Sequence, residues 1–241
     1  MTLNAAELRA DLDIIEQVEK ATLRMVVQAI CDFRNDAIEI FAGESDLVAD
    51  IGEDITREAL DRLGMPTIPV RLFGKIDYKR ATYLFQPEYA VRQALFVDSK
   101  AEKTEGARTA TIQTSQTSMR IRQIRQRRAV DVAGDMDTIA TVRGDEYLTT
   151  TIFVKYNYSE NTAIDPPNRL ESISALCLPN GLLQDRYNPG ANDTIWLAGR
   201  NAPSRGEAFR VRISLVSLKN KANWRVQTIA ADPVQPFVWD D

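Results

Sequence analysis

Two aspartates and a lysine follow two short apolar runs in the stretch from residue 71 to residue 103. Asp77 comes after the first run, and Asp98 comes after the second with Lys100 two residues later. Alternate side chains of a strand share one face, roughly 6.5–7 Å apart, so Asp98 and Lys100 are expected to point together, away from Ser99. Two carboxylates and an amine in one place could hold a hard cation and assist hydrolysis of a phosphodiester bond.

The spacing of these residues alone leaves a second interpretation open. Aspartate and lysine two residues apart also form ordinary ion pairs at the surface, and Asp77 with Lys79 is a second copy of the pattern. The rest of the chain must decide between a site and a surface pair.

The absence of histidine limits the kinds of chemistry available. With no histidine among 241 residues, catalytic triads, zinc sites built on histidine and nucleases with a histidine base are excluded. Carboxylates, lysine and a hard metal such as Mg²⁺ remain. The two cysteines, Cys31 and Cys177, stand next to apolar residues and are expected to be reduced and buried.

Charge is unevenly distributed along the chain. Residues 1–61 hold 15 acidic and 5 basic residues, whereas residues 62–241 hold 19 acidic and 25 basic ones. A basic body behind an acidic N-terminal part can still bind nucleic acid through one face. The chain has no apolar run of membrane-spanning length and starts without a secretion signal, so a cytoplasmic location is expected.

The first 64 residues are predicted to be helical. Apolar residues recur at spacings of three and four over residues 5–42, before Gly43, which predicts a helix that either covers the core or joins two copies of the chain. A second helix is predicted over residues 52–64. Its Glu53 could be a further metal ligand or only complement the helix N-terminus.

Arginines form two groups in the rest of the chain. Five of them lie between residues 120 and 128. This stretch could be a helix, a mobile loop or a segment that contacts phosphates. Arg210 and Arg212 alternate with apolar residues on a predicted strand over residues 206–218, where they could contact guanine edges in the major groove. Pairing with nearby acids is the alternative.

The predicted strands are separated by predicted helical stretches along the chain, and this pattern indicates an α/β fold. The expected architecture is a mixed central sheet flanked by helices. With no repeat and no linker-like segment in the sequence, we expect a single domain over residues 1–241, its helical part about 1–64 packed on the core.

Taken together, several segments resemble the SfiI-type restriction endonucleases, which have the PD-(D/E)xK nuclease core. They occur in order as VEKATLRMVVQA (18–29), EDIT (53–56), IDYKRATYL (76–84), VDSKA (97–101), SQTSM (115–119), TTIFV (150–154), RYNP (186–189), RGEAFRVRI (205–213) and WRVQ (224–227). Ile76 replaces the proline of the motif, and residues 120–142 show little likeness.

The resemblance implies a Mg²⁺-dependent type II enzyme that cuts both strands of double-stranded DNA at an interrupted palindrome. It implies Asp77, Asp98 and Lys100 as catalytic residues, with the metal held by the two aspartates and the Ser99 carbonyl. Arg108, Arg210 and Arg212 become the expected DNA contacts. A homodimer is the expected assembly, with a tetramer as the alternative. A structure-specific nuclease and an inactive DNA-binding protein on the same core remain the rival functions.

Overall fold

We describe the chain from a computed structural model that covers residues 2–43, 48–64, 78–85, 90–104, 108–197 and 210–241. Its first part forms α1 (Ala5–Ala10), α2 (Leu12–Asp32), α3 (Arg34–Gly43) and α4 (Val48–Asp61). The single helix predicted over residues 5–42 is therefore three helices. Asp11 separates the first two because its backbone is extended and its side chain accepts hydrogen bonds from the amides of Asp13 and Ile14, as an N-cap does.

The remaining elements are mostly strands. They are β1 (Tyr78–Phe85), β2 (Ala90–Lys103), β3 (Thr109–Gln113), β4 (Ile121–Arg125), β5 (Arg128–Val132), β6 (Ile139–Val142), β7 (Asp145–Glu160), β8 (Asn168–Leu178), α5 (Gln184–Tyr187), β9 (Trp196–Leu197), β10 (Arg210–Ser214), α6 (Leu215–Lys221) and β11 (Val226–Ala230).

In the described part of the chain, the central sheet has six strands, in the order β1-β2-β7-β8-β11 with β6 paired to β7. Strands β2 and β7 run parallel, and the other pairs are antiparallel. The predicted mixed central sheet is thereby confirmed. Strand β2 continues for five residues beyond Asp98, to Lys103.

The two faces of the central sheet bury different cores. On one face, α2, α3 and α4 pack against Leu95 and Val97 of β2 and against Ile152, Val154 and Tyr156 of β7. On the other face, Phe153 and Leu176 pack against α1, α6 and a second, smaller sheet. Because side chains alternate along β2, the residues Asp98, Lys100 and Glu102 belong to this second face.

The smaller sheet has the order β3-β10-β9. Its strand β10 stops at Ser214, where the sequence had predicted a strand to residue 218. The Ser214 hydroxyl accepts a hydrogen bond from the Ser217 amide at 3.1 Å and begins α6, because serine is a favourable N-cap.

A helix and a mobile loop were two of the structures predicted for the arginine-rich segment. The segment is instead the antiparallel hairpin of β4 and β5. Its turn residues Gln126 and Arg127 both have left-handed backbones, with φ of 49° and 63°. Such a pair of angles gives a two-residue turn whose twist matches the flanking strands.

A buried ion pair joins α2 to the C-terminal part of the central sheet. The Arg225 guanidinium lies 2.7 Å from a carboxylate oxygen of Glu19, and both side chains have no exposed surface. The amide of Asn180 donates to the other Glu19 oxygen at 2.8 Å. The Tyr187 and Trp224 rings lie 4.3 Å from the guanidinium, so the charge pair is enclosed, although Nε of Arg225 has no hydrogen-bond partner among the described residues.

Other expectations have mixed outcomes. Both cysteines are free thiols, but only Cys177 is buried as expected, whereas Cys31 is half-buried. Burial raises the pKa of Cys31 to about 11 and that of Cys177 well above its ordinary value. Within the described ranges, no helix is long and apolar enough to cross a membrane. The organisation of residues 1–241 as a single domain stays a prediction.

Candidate active site

Asp98 and Lys100 lie together on the face of β2 that points away from the helices. The amine of Lys100 is 3.6 Å from Oδ2 of Asp98, whose side chain is 4% exposed against 31% for the lysine. The predicted alternation therefore brings these two groups together, and it turns Ser99 to the opposite face. The result is a buried carboxylate beside an amine that solvent can reach.

Lys100 also contacts two neighbouring strands. Its amine donates a hydrogen bond to the Thr111 carbonyl of β3 at 3.2 Å. It lies 5.3 Å from the centroid of the Phe153 ring, a distance at which a ring face attracts a cation. These contacts hold the amine near the Asp98 carboxylate and next to the small sheet.

Hydroxyl groups anchor β2 from its other face. Ser99 Oγ donates to Thr56 Oγ1 of α4 at 2.7 Å, and Thr56 Oγ1 lies 2.9 Å from the hydroxyl of Tyr156. Burial raises the pKa of Tyr156, so its hydroxyl stays neutral. The Ser99 side chain is thus committed to the packing of α4, and only the Ser99 backbone carbonyl is left as a candidate metal ligand.

Helix α4 approaches β2 closely at Gly52. A Cβ at this position would lie 3.3 Å from backbone atoms of Lys100 and Ala101 and 3.0 Å from the Tyr156 ring. Glycine therefore permits an approach that any larger residue would oppose. The next residue, Glu53, is half-buried in this contact region.

The other predicted site acid, Asp77, lies outside the described residues, immediately before β1. Strand β1 pairs with β2 in a register that places Tyr78 opposite Val97. In the described part of the chain, no group of three or more acidic, histidine or cysteine side chains could hold a metal by itself. A metal site at Asp98 would thus be completed by a residue such as Asp77, by backbone oxygen and by water.

Sequence reasoning missed a second lysine beside the site. Lys155 of β7 pairs in register with Lys100, has no exposed side-chain surface, and lies 2.8 Å from Oε2 of Glu102. Two signals could have revealed it. Glu102 continues the two-residue spacing of Asp98 and Lys100, and Lys155 is a charged residue within the otherwise uncharged strand segment at 147–158.

The predicted DNA contacts lie on or beside the small sheet. Arg212 is exposed on β10 and pairs in register with Thr111 of β3 and Leu197 of β9. Arg210 begins the same strand, opposite Gln113. Arg108 is exposed just before β3, and its carbonyl accepts a hydrogen bond from the Leu215 amide at 3.1 Å. Because Thr111 also accepts from Lys100, the arginine strand is one strand removed from the Asp98–Lys100 pair.

The arginines of the hairpin fall into two groups. Arg120 and Arg122 lie 2.8 and 3.5 Å from the two carboxylate oxygens of Asp131, and Arg122 also donates to the Pro189 carbonyl at 2.9 Å. Arg127 and Arg128 are exposed at the turn. The first group fastens the base of the hairpin, and the second forms a basic tip.

Comparison with known proteins gives a consistent result. The profile of the family described as "Type II restriction enzyme SfiI" matches residues 22–229. The Type II restriction enzyme SfiI of Streptomyces fimbriatus is 36% identical to this chain over 228 residues, which are 90% of this chain and 85% of that enzyme.

Two solved structures are also similar. One is the tetrameric restriction endonuclease SfiI bound to cognate DNA, with a TM-score of 0.83 and 34% identity over 95% of this chain and 88% of that one. The other is the restriction endonuclease BglI bound to its DNA recognition sequence, with a TM-score of 0.74 and 17% identity over 93% of each chain. At 17% identity, the second similarity concerns the fold alone.

Proposed function

This chain belongs to the SfiI family of type II restriction enzymes, and from that premise we propose that it hydrolyses both strands of double-stranded DNA at an interrupted palindromic sequence. The observation that carries this proposal is the juxtaposition of Asp98 and Lys100 beside the strand of Arg212. A carboxylate and an amine suited to phosphodiester hydrolysis then lie next to side chains suited to base recognition.

The residues at the site fit Mg²⁺ as the cofactor. Mg²⁺ prefers oxygen ligands and commonly uses one or two carboxylates while keeping several waters. Asp98 supplies one buried carboxylate, and we assign the second to Asp77 and a third ligand to the Ser99 carbonyl. Glu53 is a weaker candidate, supported only by its place next to the close contact of Gly52 with β2. When bound, the metal ion would polarise the scissile phosphate and lower the pKa of the attacking water.

Asp98 and Lys100 have separate roles in the proposed reaction. Asp98 holds its carboxylate in place from the buried part of β2 and carries the negative charge that binds the cation. Lys100 is partly exposed, so its amine can orient the attacking water and offset the negative charge that develops on the phosphate. The ammonium group has three donors, so the amine can donate to the DNA or to the water while it keeps its hydrogen bond to Thr111.

The arginines supply the proposed contacts to DNA. Arg212 and Arg210 lie on a strand whose inward residues Val211 and Ile213 are buried, and this fixes the direction of Arg212 toward solvent. A guanidinium with a fixed direction can donate two hydrogen bonds to one guanine. Arg108, exposed at the start of β3, is proposed as a further DNA contact.

The proposed assembly is a homo-oligomer. A palindromic duplex offers two equivalent strands, and a symmetric dimer places one active site on each. The similar SfiI structure is a tetramer bound to cognate DNA, which supports oligomerisation and makes two dimers the alternative to one. Because DNA is the substrate, we propose that the enzyme acts in the cytoplasm.

Digestion of phage DNA with the purified protein and Mg²⁺ tests the function directly. The expected result is a set of discrete bands whose ends, when sequenced, share one interrupted palindrome. Cleavage only at junctions, flaps or mismatches would instead show a structure-specific nuclease. Binding without any cleavage would show an inactive DNA-binding protein. Replacing Mg²⁺ with EDTA should abolish the bands, which also tests the cofactor.

A further inference from the structure

Lys155 lies at the centre of the protein, where a charged side chain is costly. Its side chain has no exposed surface, and a buried ammonium group is tolerated only when it is paired and hydrogen-bonded. Its amine meets both conditions, since it lies 2.8 Å from Oε2 of Glu102 and donates to the Thr109 carbonyl at 2.9 Å. Glu102 lies on the same strand and the same face as Asp98 and Lys100.

The two neighbouring lysines bind β3 in the same way. Lys100 donates to the carbonyl of Thr111 and Lys155 to that of Thr109, and these acceptors are two residues apart on β3. Carbonyl groups two residues apart on a strand point in the same direction. Strand β3 is the outer strand of the small sheet, and the central sheet thus holds it through two parallel hydrogen bonds.

The opposite side of β3 is paired with the strand that carries the arginines. Thr111 lies opposite Arg212 and Thr109 opposite Ser214 in that pairing. A shift of β10 against DNA would therefore displace the Thr111 carbonyl, and with it the position of the Lys100 amine. Arg212 is thus connected to Lys100 through the pairing of β10 with β3 and through the hydrogen bond from Lys100 to the Thr111 carbonyl.

Building on the proposed function, we propose that Lys155 and Glu102 form a positioning pair that holds β3 at a fixed place on the central sheet, so that DNA recognised by β10 lies at a fixed distance from Lys100. The Lys100 side chain is 31% exposed, so its amine can reach bound DNA as well as the Thr111 carbonyl. The Lys155 bond is enclosed and stays. If the hydrogen bond from Lys155 to Thr109 were lost, the small sheet could still bind DNA, but Lys100 would not be held in place.

The test compares binding with cleavage in the full-length protein. The variants are the double substitution Lys155→Met with Glu102→Gln, which removes both charges together, and Lys103→Met as a control. Lys103 is on the same strand but 62% exposed and paired with Glu160. Affinity for cognate DNA is measured in EDTA, and the cleavage rate of the preformed complex is measured after Mg²⁺ is added.

The double variant should bind cognate DNA almost as the wild type does, whereas its cleavage rate in the complex should fall by about a hundredfold, as expected when a reacting group is misplaced by about 1 Å. Its preference for cleaving the cognate site over sites with one altered base pair should also shrink. The control should match the wild type in all three measurements. An unchanged cleavage rate, or equal losses in binding and cleavage, would overturn the proposal.

Hydrogen exchange of the β3 and β10 amides in the DNA-free protein provides a second measurement. The double variant should exchange these amides faster than the wild type, while β8 stays protected. If the double variant does not fold, Glu102→Gln alone, at the more exposed end of the pair, should show the same changes to a smaller degree. A wild-type protein that cuts no DNA would refute the proposed function, whereas unchanged exchange in β3 would refute the role of Lys155.

Discussion

Asp98 and Lys100 differ in burial although they share one face of β2, and this difference separates the roles that we propose for them. A buried carboxylate keeps a fixed position for a cation, and a partly exposed amine can reach a bound phosphate. Both groups are expected to act after DNA has bound, so their removal should affect cleavage and spare binding.

We predict that Asp98→Ala and Lys100→Ala each abolish detectable cleavage while cognate DNA is still bound in EDTA with about wild-type affinity. Lys103→Ala is a control because this lysine is on the same strand but lies at the exposed end of it. Cleavage is followed on a labelled duplex that contains the cognate site, and binding by gel shift. Clear cutting by Asp98→Ala would contradict the assignment of the site.

The sequence was sufficient to predict that Asp98 and Lys100 lie together, because side chains two residues apart share one face of a strand. It was not sufficient to find Lys155. A lysine in a strand normally faces solvent, and the partners that bury it, Glu102 and Thr109, come from two other strands. Such contacts depend on the order of the strands in the sheet. That order cannot be read from the hydrophobic periodicity of the sequence.

At the scale of elements, the two groups of arginines should have different effects on DNA binding. Arg212→Ala should narrow the difference in affinity between cognate and random DNA by about ten- to a hundredfold, since one bidentate contact to guanine accounts for about 1–3 kcal/mol of discrimination. Affinities for both DNAs, measured in EDTA by fluorescence anisotropy, check this prediction. Equal losses on both DNAs would place base recognition on another strand.

The tip of the hairpin should instead contribute affinity that does not depend on sequence. Arg127→Ala and Arg128→Ala are expected to weaken binding to cognate and random DNA alike. Each should also reduce the magnitude of the negative slope of log affinity against log salt by about 1, the change expected when one phosphate is no longer neutralised by the protein. Titrations at several salt concentrations measure that slope. An unchanged slope in both variants would show that the tip does not bind DNA.

A third prediction at this scale concerns the ion pair between α2 and the segment before β11. Glu19→Gln leaves the buried Arg225 charge without its carboxylate, so the free energy of unfolding should fall by about 3–5 kcal/mol. Glu16→Gln is the matched control, since Glu16 pairs with Arg186 near the surface at 3.3 Å and such pairs contribute about 1 kcal/mol or less. Urea unfolding monitored by tryptophan fluorescence measures the free energy of unfolding of both variants. Similar losses in both variants would show that burial does not decide the effect.

Elements were predictable from the sequence where local pattern and tertiary structure agree. The run of β-branched and aromatic residues at 149–158 is typical of a strand, and it forms most of β7, which is buried on both faces over this run. The β4–β5 hairpin was missed because Gln126 and Arg127 are not the Asn-Gly or Gly-Gly pair that normally marks such a turn. The strand predicted over residues 206–218 extends past the end of β10, because the alternation of apolar residues continues to Leu215, past the serine that begins α6.

At the scale of the whole molecule, much of the acidic N-terminal part lies across the central sheet from the arginine strand. Helices α3, α4 and most of α2 cover one face, whereas α1 and the start of α2 pack on the other face with the small sheet that carries Arg212. DNA, being a polyanion, should therefore approach from the side of the small sheet and avoid α3 and α4, although the net charge of the whole chain is −4.

We predict that the free protein has the mass of a homodimer or of a homotetramer in light scattering, because one active site is needed for each strand of a palindrome. Adding a short duplex with one cognate site should give one duplex for each pair of subunits. The same measurement at several protein concentrations separates a stable assembly from a weak one. A monomer both free and on DNA would refute the proposed assembly.

The left-handed turn of the hairpin has a consequence for how this protein can be improved. Two consecutive residues other than glycine with positive φ cost about 1–2 kcal/mol each in backbone conformation. Exchanging Gln126 and Arg127 for asparagine and glycine should therefore raise the melting temperature. The same exchange removes a basic side chain from the tip, so thermal tolerance and affinity for the substrate should change in opposite directions at this one turn.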